Sequence, residues 1–293
     1  MYIDGVFSGG GIKGFSLIGA YEAIEEKGLH FTRVAGTSAG AIIAAFIASG
    51  YSSKEILSIM EEVDVKTFLD ARKSILPAAI GKWIQLYWRM GLYKGDELEK
   101  WVGRELRKKG VRTFRDLPNG SLRFVASDLT NGKMLVLPND LPKYGMNPDS
   151  FSVAKAVRMS ASLPYFFEPV KLLVKGKPVI VDGGVLSNFP IFLFDEEKKL
   201  KKRPVLGIKL SAKESEQQNN KINNAIELFP ALFETMKVAH DERHISRRHE
   251  RNIIFIPMNH TVTTEFSISD EKKQELVKLG YDQTSSFLKK WSY

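Results

Sequence analysis

Tyr2-Ile3-Asp4-Gly5-Val6-Phe7-Ser8-Gly9-Gly10-Gly11-Ile12-Lys13-Gly14, followed seventeen positions later by Phe31-Thr32-Arg33-Val34-Ala35-Gly36-Thr37-Ser38-Ala39-Gly40, is the stretch that decides the fold. Tyr2 to Phe7 is a short apolar run of strand length that ends in consecutive glycines. Leu17, Ala20, Tyr21 and Ile24 then recur at helical spacing, with Gly28 after Lys27 as a stop signal. Phe31 to Ala35 reads as a second strand, and Gly36 to Gly40 leads into the apolar helix Ala41 to Ala48, closed by Gly50. Strand, helix, strand, helix in fifty residues predicts a parallel α/β sheet with crossover helices.

The same reading extends outward. Ser52-Ser53-Lys54-Glu55 is a capping box opening another helix, and Lys94 to Lys109 is amphipathic and helical. Leu122 to Leu129 and Lys133 to Leu137 are strands joined across Asn131-Gly132, a hairpin-turn pair. Ser152 to Met159 is a short helix. Val170 to Val174 and Pro178 to Val181 form a hairpin around Lys175-Gly176-Lys177, and Val205 to Leu210 and Ile253 to Ile256 are buried strands. The polar residues 211–221 are expected to form a mobile loop. Strand-like sequence resumes beyond them, so one domain over 1–293 is expected, with no internal repeat.

Bulk properties narrow the function class. The 293 residues are 43% hydrophobic and 26% charged, ordinary for a folded chain. Lys and Arg number 43 against 34 Asp and Glu, a formal charge of +9 that favours anionic partners without choosing among them. With no cysteine, disulfides, thiolate catalysis and Cys-based metal sites are excluded. The N-terminus lacks the basic and apolar segments of a signal peptide, and no run of about 18 apolar residues occurs. A cytoplasmic protein, soluble or peripheral on the inner face of a membrane, is the expectation.

Gly9, Gly11 and Gly14 satisfy the dinucleotide pattern G-x-G-x-x-G between a strand and a helix, but no acidic residue ends the second strand to meet a ribose. Converging glycine N–H groups bind a phosphate equally well, or an oxyanion in acyl transfer. Gly36-Thr37-Ser38-Ala39-Gly40 matches the nucleophile elbow G-x-S-x-G, which presents a serine hydroxyl on a sharp strand-to-helix turn. The bland alternative is a tight turn eased by two glycines; the placement between an apolar strand and an apolar helix favours the elbow.

A serine nucleophile needs a base. The histidines are His30, His240, His244, His249 and His260. Ser38, Asp182 and His260 follow the chain order of α/β-hydrolases, yet only 37 residues precede Ser38, too few for the strands that precede the nucleophile in that fold. His240 and His244 share a helix face beside Arg243, Arg247 and Arg248, a solvated basic face; zinc would want a third ligand that is not evident. Asp182 is the better candidate: it ends the apolar run Val179-Ile180-Val181 and precedes Gly183-Gly184, where α/β sheets place functional groups. A turn aspartate is the competing reading.

Taken in order, Gly-Gly-Gly-x-Lys-Gly, Gly-Thr-Ser-Ala-Gly and Asp-Gly-Gly resemble the patatin-like phospholipase family. Ala161-Ser162-Leu163-Pro164 with Phe167 and Pro169, and Asn188-Phe189-Pro190, extend the resemblance over about residues 2–210. It implies a three-layer α/β/α sandwich with a mainly parallel central sheet and a Ser-Asp dyad. Ser38 would be the nucleophile, Asp182 the base, and Gly9, Gly10 and Gly11 the oxyanion hole. Ser8 stands where plant members commonly carry Asp, and Lys13 occupies a commonly basic position where it would meet a headgroup or a surface carboxylate. The implied activity is serine hydrolysis of lipid acyl esters, of the phospholipase A or lysophospholipase type, with no metal or cofactor. The alternatives are a carboxylesterase for small soluble esters and a catalytically silent lipid-binding member. Nucleic acid is not an expected partner.

Residues 75–93 complete the reading. Lys82, Gln85 and Arg89 fall on one helical face, leaving Ile80, Trp83, Ile84, Tyr87 and Trp88 on the apolar remainder. Basic residues beside Trp and Tyr suit an interfacial helix, with Lys82, Trp83, Trp88 and Arg89 as contacts to an anionic membrane. A helix packed over the sheet has the same periodicity.

Overall fold

Strand β1 (Tyr2–Phe7) and strand β2 (His30–Gly36) pair in parallel, joined by helix α1 (Phe15–Glu26), as the crossover reading requires. The computed structural model describes residues 1–72, 86–194, 203–212, 222, 228, 231–233, 235–236, 250–258 and 268–292. α1 stops where Gly28 takes the left-handed φ of 72° that a side chain would resist. Helix α2 (Ala39–Ala48) lies directly on the sheet. Helix α3 (Ser53–Glu62) opens with the expected capping box: Ser52 N–H donates to Glu55 Oε2 at 2.8 Å, and Glu55 N–H to Ser52 Oγ at 3.3 Å.

The remaining described elements are β3 (Gly91–Tyr93), α4 (Asp96–Lys108), β4 (Leu122–Asp128), β5 (Lys133–Leu137), α5 (Val153–Ser160), β6 (Tyr165–Phe167), β7 (Val170–Lys171), β8 (Val179–Asp182), β9 (Val205–Ala212), β10 (Ile253–Met258) and α6 (Asp270–Lys290). The central sheet runs β10-β9-β1-β2-β4-β8-β7, with β5 on the other edge of β4. β10, β9, β1, β2 and β4 are mutually parallel, while β5, β7 and β8 are antiparallel additions. The sheet is therefore mainly parallel and belongs to a three-layer α/β/α sandwich. Ile3 and Phe7 alternate with Val6, so one face joins the large core under α1, α2 and α5, and the other packs on Phe189, Ile191 and Phe194.

Three elements escaped the sequence reading. β3 and β6 form a two-stranded parallel ribbon outside the main sheet. The 21-residue α6 packs along α1 so closely that a Cβ on Gly280 would overlap the Ser16 carbonyl, and one on Gly19 the Val277 carbonyl. The two glycines let the helix backbones touch. Gly280→Leu should therefore cost about 3 kcal/mol of stability by overpacking, read as a lower denaturant midpoint at unchanged slope. A midpoint equal to that of the native chain would mean that α6 shifts without penalty.

The topology that matters for the site is local to β4. β2 pairs with Leu122 to Phe124, β8 pairs with Ala126 to Asp128, and β5 pairs with Phe124 to Asp128. Because β5 occupies one edge throughout, β2 and β8 must share the opposite edge, one running with β4 and the other against it. Their C-terminal ends, Gly36 and Asp182, thus converge on either side of Val125.

Candidate active site

Between β2 and α2 the chain turns at Ser38, whose φ of 55° and ψ of −121° are sparsely populated for a residue with a side chain. Such strain is what a nucleophile elbow stores. The flanking glycines are required by close approach: a Cβ on Gly36 would overlap the Gly40 carbonyl, and one on Gly40 the carbonyls of Phe7 and Ser8. Thr37 Oγ1 donates to the Ser187 carbonyl at 3.0 Å, tying the turn to the segment after Asp182.

Val125, in the gap between the ends of β2 and β8, has its carbonyl satisfied by a side chain. Ser160 Oγ donates to it at 2.6 Å and accepts the N–H of Ser38 at 3.1 Å. This hydroxyl, at the end of α5, bridges sheet and elbow and positions Ser38. Opposite, Asp182 is buried at the end of β8; its N–H donates to Ser162 O at 2.9 Å, and its Oδ1 accepts from Gly184 N–H at 2.7 Å. Gly183 lies against the Val125 carbonyl, where a Cβ would overlap it. The bond to Gly184 turns the carboxylate back over its own loop, and both Ser38 and Asp182 line one cavity.

The glycine loop is anchored at its start: Ser8 N–H donates to Ile208 O at 3.0 Å, and Ser8 Oγ accepts from Leu210 N–H at 3.0 Å. Gly9 N–H donates to Asn188 O at 3.1 Å, and Asn188 Nδ2 donates back to Gly9 O at 3.5 Å. The Gly9 amide is committed to that bond, which narrows the expected oxyanion donors to Gly10 and Gly11. These two line the cavity and open a 3-10 turn (Gly11–Gly14), whose first N–H groups have no acceptor within the turn. Lys13 is half-buried on this turn and does not line the cavity.

Beyond Ser38, Asp182 and Asn188, the cavity wall is apolar. Ile12, Ile42, Leu98, Leu163 and Phe167 contribute, and no Lys or Arg among the described residues lines it. Arg158, buried with its guanidinium over the Phe167 ring, donates to Ser162 Oγ, Lys94 O and Glu168 O, and burial pulls its pKa down. It fastens the β3–β6 ribbon beside the site.

Among the described residues the one histidine is His30, at the far end of β2, roughly 20 Å of strand from the elbow. His240, His244, His249 and His260 lie outside the described residues, as do Lys82, Trp83 and nearly all of 211–221. Of the aromatic segment, Tyr87 and Trp88 are 77% and 71% exposed, paired edge to face at 5.2 Å, and Arg89 is exposed beside them. This end of the segment is surface and not core. No cluster of His, Cys, Asp and Glu suited to a metal ion occurs among the described residues, and no described helix is long and apolar enough to cross a membrane.

Sequence reasoning assigned no role to three residues that shape the site. Asn188 was visible as part of Asn-Phe-Pro, but its grip on Gly9 spans 179 positions. Ser160 precedes Ala-Ser-Leu-Pro without a signal of its own. Phe233 is buried against Gly184 and the cavity and carries no local pattern.

A family model described as patatin-like phospholipase matches residues 5–195. The chain is 60% identical over 294 residues to YqhO of Bacillus subtilis (strain 168), covering 100% of both. A cUMP-AMP-activated phospholipase of Escherichia coli is 30% identical over 194 residues, 62% of this chain and 54% of that protein. Among solved structures, VipD from Legionella pneumophila is similar in fold, with a TM-score of 0.60 and 22% identity over 99% of this chain and 67% of that one.

Proposed function

The chain belongs to the patatin-like phospholipase family, and from that premise we propose that it hydrolyses lipid acyl esters, of the phospholipase A or lysophospholipase type, through a Ser38–Asp182 dyad. The observation that carries this reading is the apolar cavity that opens onto Ser38 and Asp182 and holds no cationic side chain among its described walls. Such a cavity suits a fatty acyl chain and leaves a charged headgroup outside.

In this mechanism Asp182 accepts the Ser38 hydroxyl proton as Oγ attacks the acyl carbonyl carbon. The N–H groups of Gly10 and Gly11 stabilise the resulting oxyanion. The tetrahedral adduct collapses, the C–O bond to the alcohol breaks, and Asp182 returns the proton to the leaving oxygen. Water, deprotonated by the same carboxylate, then cleaves the acyl-enzyme to a fatty acid and free Ser38. Ser160 and Asn188 hold the elbow and the glycine loop in register. A carboxylate is a weak base for an alcohol, so preorganised amides carry much of the rate enhancement.

A fluorophosphonate probe followed by a panel of diacyl phospholipids, lysophospholipids and short soluble esters tests the reading. Labelling at Ser38 with faster turnover of the lipids is expected. Labelling with turnover confined to the short esters would favour the carboxylesterase, and labelling with none would favour a silent lipid-binding member.

Peripheral membrane contact fits the same reading. The exposed Tyr87–Trp88 pair, the adjacent Arg89 and the +9 charge support association with anionic bilayers. Each basic residue near such a surface contributes about 1 kcal/mol, screened by salt, whereas buried aromatic area at roughly 25 cal/mol per Å² is not. Cosedimentation with anionic vesicles should weaken with added salt and retain a residue that Trp88→Ala lowers. A chain that ignores such vesicles at low salt has no membrane surface here.

A further inference from the structure

We propose that Phe68 is the end wall of the acyl cavity and sets the longest acyl chain the site accepts, an inference that rests on the lipid acyl hydrolase reading. Two cavities meet at this residue. The first is the apolar one beginning at Ser38 and running past Ile42 to Val65, Leu98 and Phe68. The second, of about 580 Å³, is lined by Glu62, Asp64, Glu97, Arg104 and Lys108, with Ile59, Val63 and Trp101 on its apolar side. Among the described residues, Phe68 is the one that lines both. Its ring is buried and leans on Trp101 with centroids 5.2 Å apart, and Trp101 in turn meets Phe46 edge to face at 5.6 Å.

Size gives the partition its consequence. The catalytic cavity encloses about 120 Å³, small beside the roughly 300–1,000 Å³ usual for ligand pockets. A chain entering from Ser38 fills apolar space until it reaches the Phe68 ring. Beyond the ring lies a solvent-open cleft whose charged residues Glu62, Asp64, Glu97, Arg104 and Lys108 are exposed, while Ile59, Val63 and Trp101 offer an apolar side on which further methylenes could lie. Phe68 also sits on a single 3-10 turn (Val65–Phe68), capped by Asp64 Oδ1 accepting from Lys66 N–H at 2.9 Å. It belongs to neither the sheet nor a long helix, so the wall is replaceable without disturbing Ser38. Removing the ring joins the two cavities along the Ile59, Val63 and Trp101 side.

The test uses two length series on the full chain: p-nitrophenyl butyrate, octanoate and palmitate for turnover, and free fatty acids of matching length for binding to Ser38→Ala by thermal shift. Phe68→Ala should raise the palmitate-to-butyrate ratio of kcat/KM at least tenfold, since a hydrophobic pocket discriminates by about tenfold or more per misfitted methylene. The longest stabilising fatty acid should lengthen in parallel. Phe68→Leu, kinder to the fold, should move both in the same direction, and Val65→Phe, which narrows the approach, should move both the opposite way. Ratios and binding profiles within twofold of the native chain in a folded Phe68 variant would overturn the inference. Binding profiles that shift while no ester is turned over by the native chain would instead sink the hydrolase reading and leave the wall in place.

Discussion

Ser38→Ala is expected to abolish both fluorophosphonate labelling and ester turnover, with kcat lowered about 10⁵- to 10⁶-fold, the scale at which loss of a serine nucleophile acts. The elbow is closed by groups that alanine leaves in place: Thr37 Oγ1 on Ser187 O, Ser160 Oγ on the Ser38 N–H, and the glycines at 36 and 40. The variant should therefore fold, and its melting temperature should stay close to the native one. Peptide mapping of the labelled native chain should place the phosphonate on Ser38 alone. Labelling that persists in the alanine variant, or maps to another serine, would remove Ser38 from the mechanism whatever the motif says.

Asp182→Asn should lower kcat by about 10³- to 10⁴-fold, in the range measured when a general base is lost. Asparagine keeps the shape and an oxygen to accept the Gly184 N–H, now bonded to Asp182 Oδ1 at 2.7 Å. The loop after β8 should thus survive while the base is gone, and slow acylation of the still intact Ser38 should remain detectable. His240→Ala, His244→Ala and His260→Ala should each keep most of the activity. Collapse of turnover in a folded His260 variant, with Asp182→Asn only mildly impaired, would replace the dyad by a triad.

Why the first fifty residues could be read so far is a matter of range. The strand, the glycine turn and the helix that follows it are specified by spacing within about ten residues, and the observed β1, α1, β2 and α2 begin and end within two residues of the expected bounds. The same holds for the hairpin at Asn131-Gly132 and for β8, where Asp182 ends a run of β-branched residues. The 21-residue α6 was missed because its signal is not a wide apolar stripe; it is held on α1 by backbone proximity at Gly19 and Gly280, which a periodicity search does not register.

The candidate site divides along the same line. By itself the sequence determined the strand-turn-helix that exposes Ser38, the glycine run that can offer amides to an oxyanion, and the placement of Asp182 at a strand end. Each depends on φ, ψ and side-chain alternation among neighbours in the chain. Tertiary structure alone decided that β2 and β8 share one edge of β4 and so bring residues 144 positions apart to one cavity. It also decided that Asn188 takes the Gly9 amide, that Ser160 bridges Val125 to the elbow, and that Phe68 separates an apolar cavity from a charged one. Those contacts depend on strand register and on which faces pack together. Both are set by the burial of the whole core, to which no ten-residue window has access.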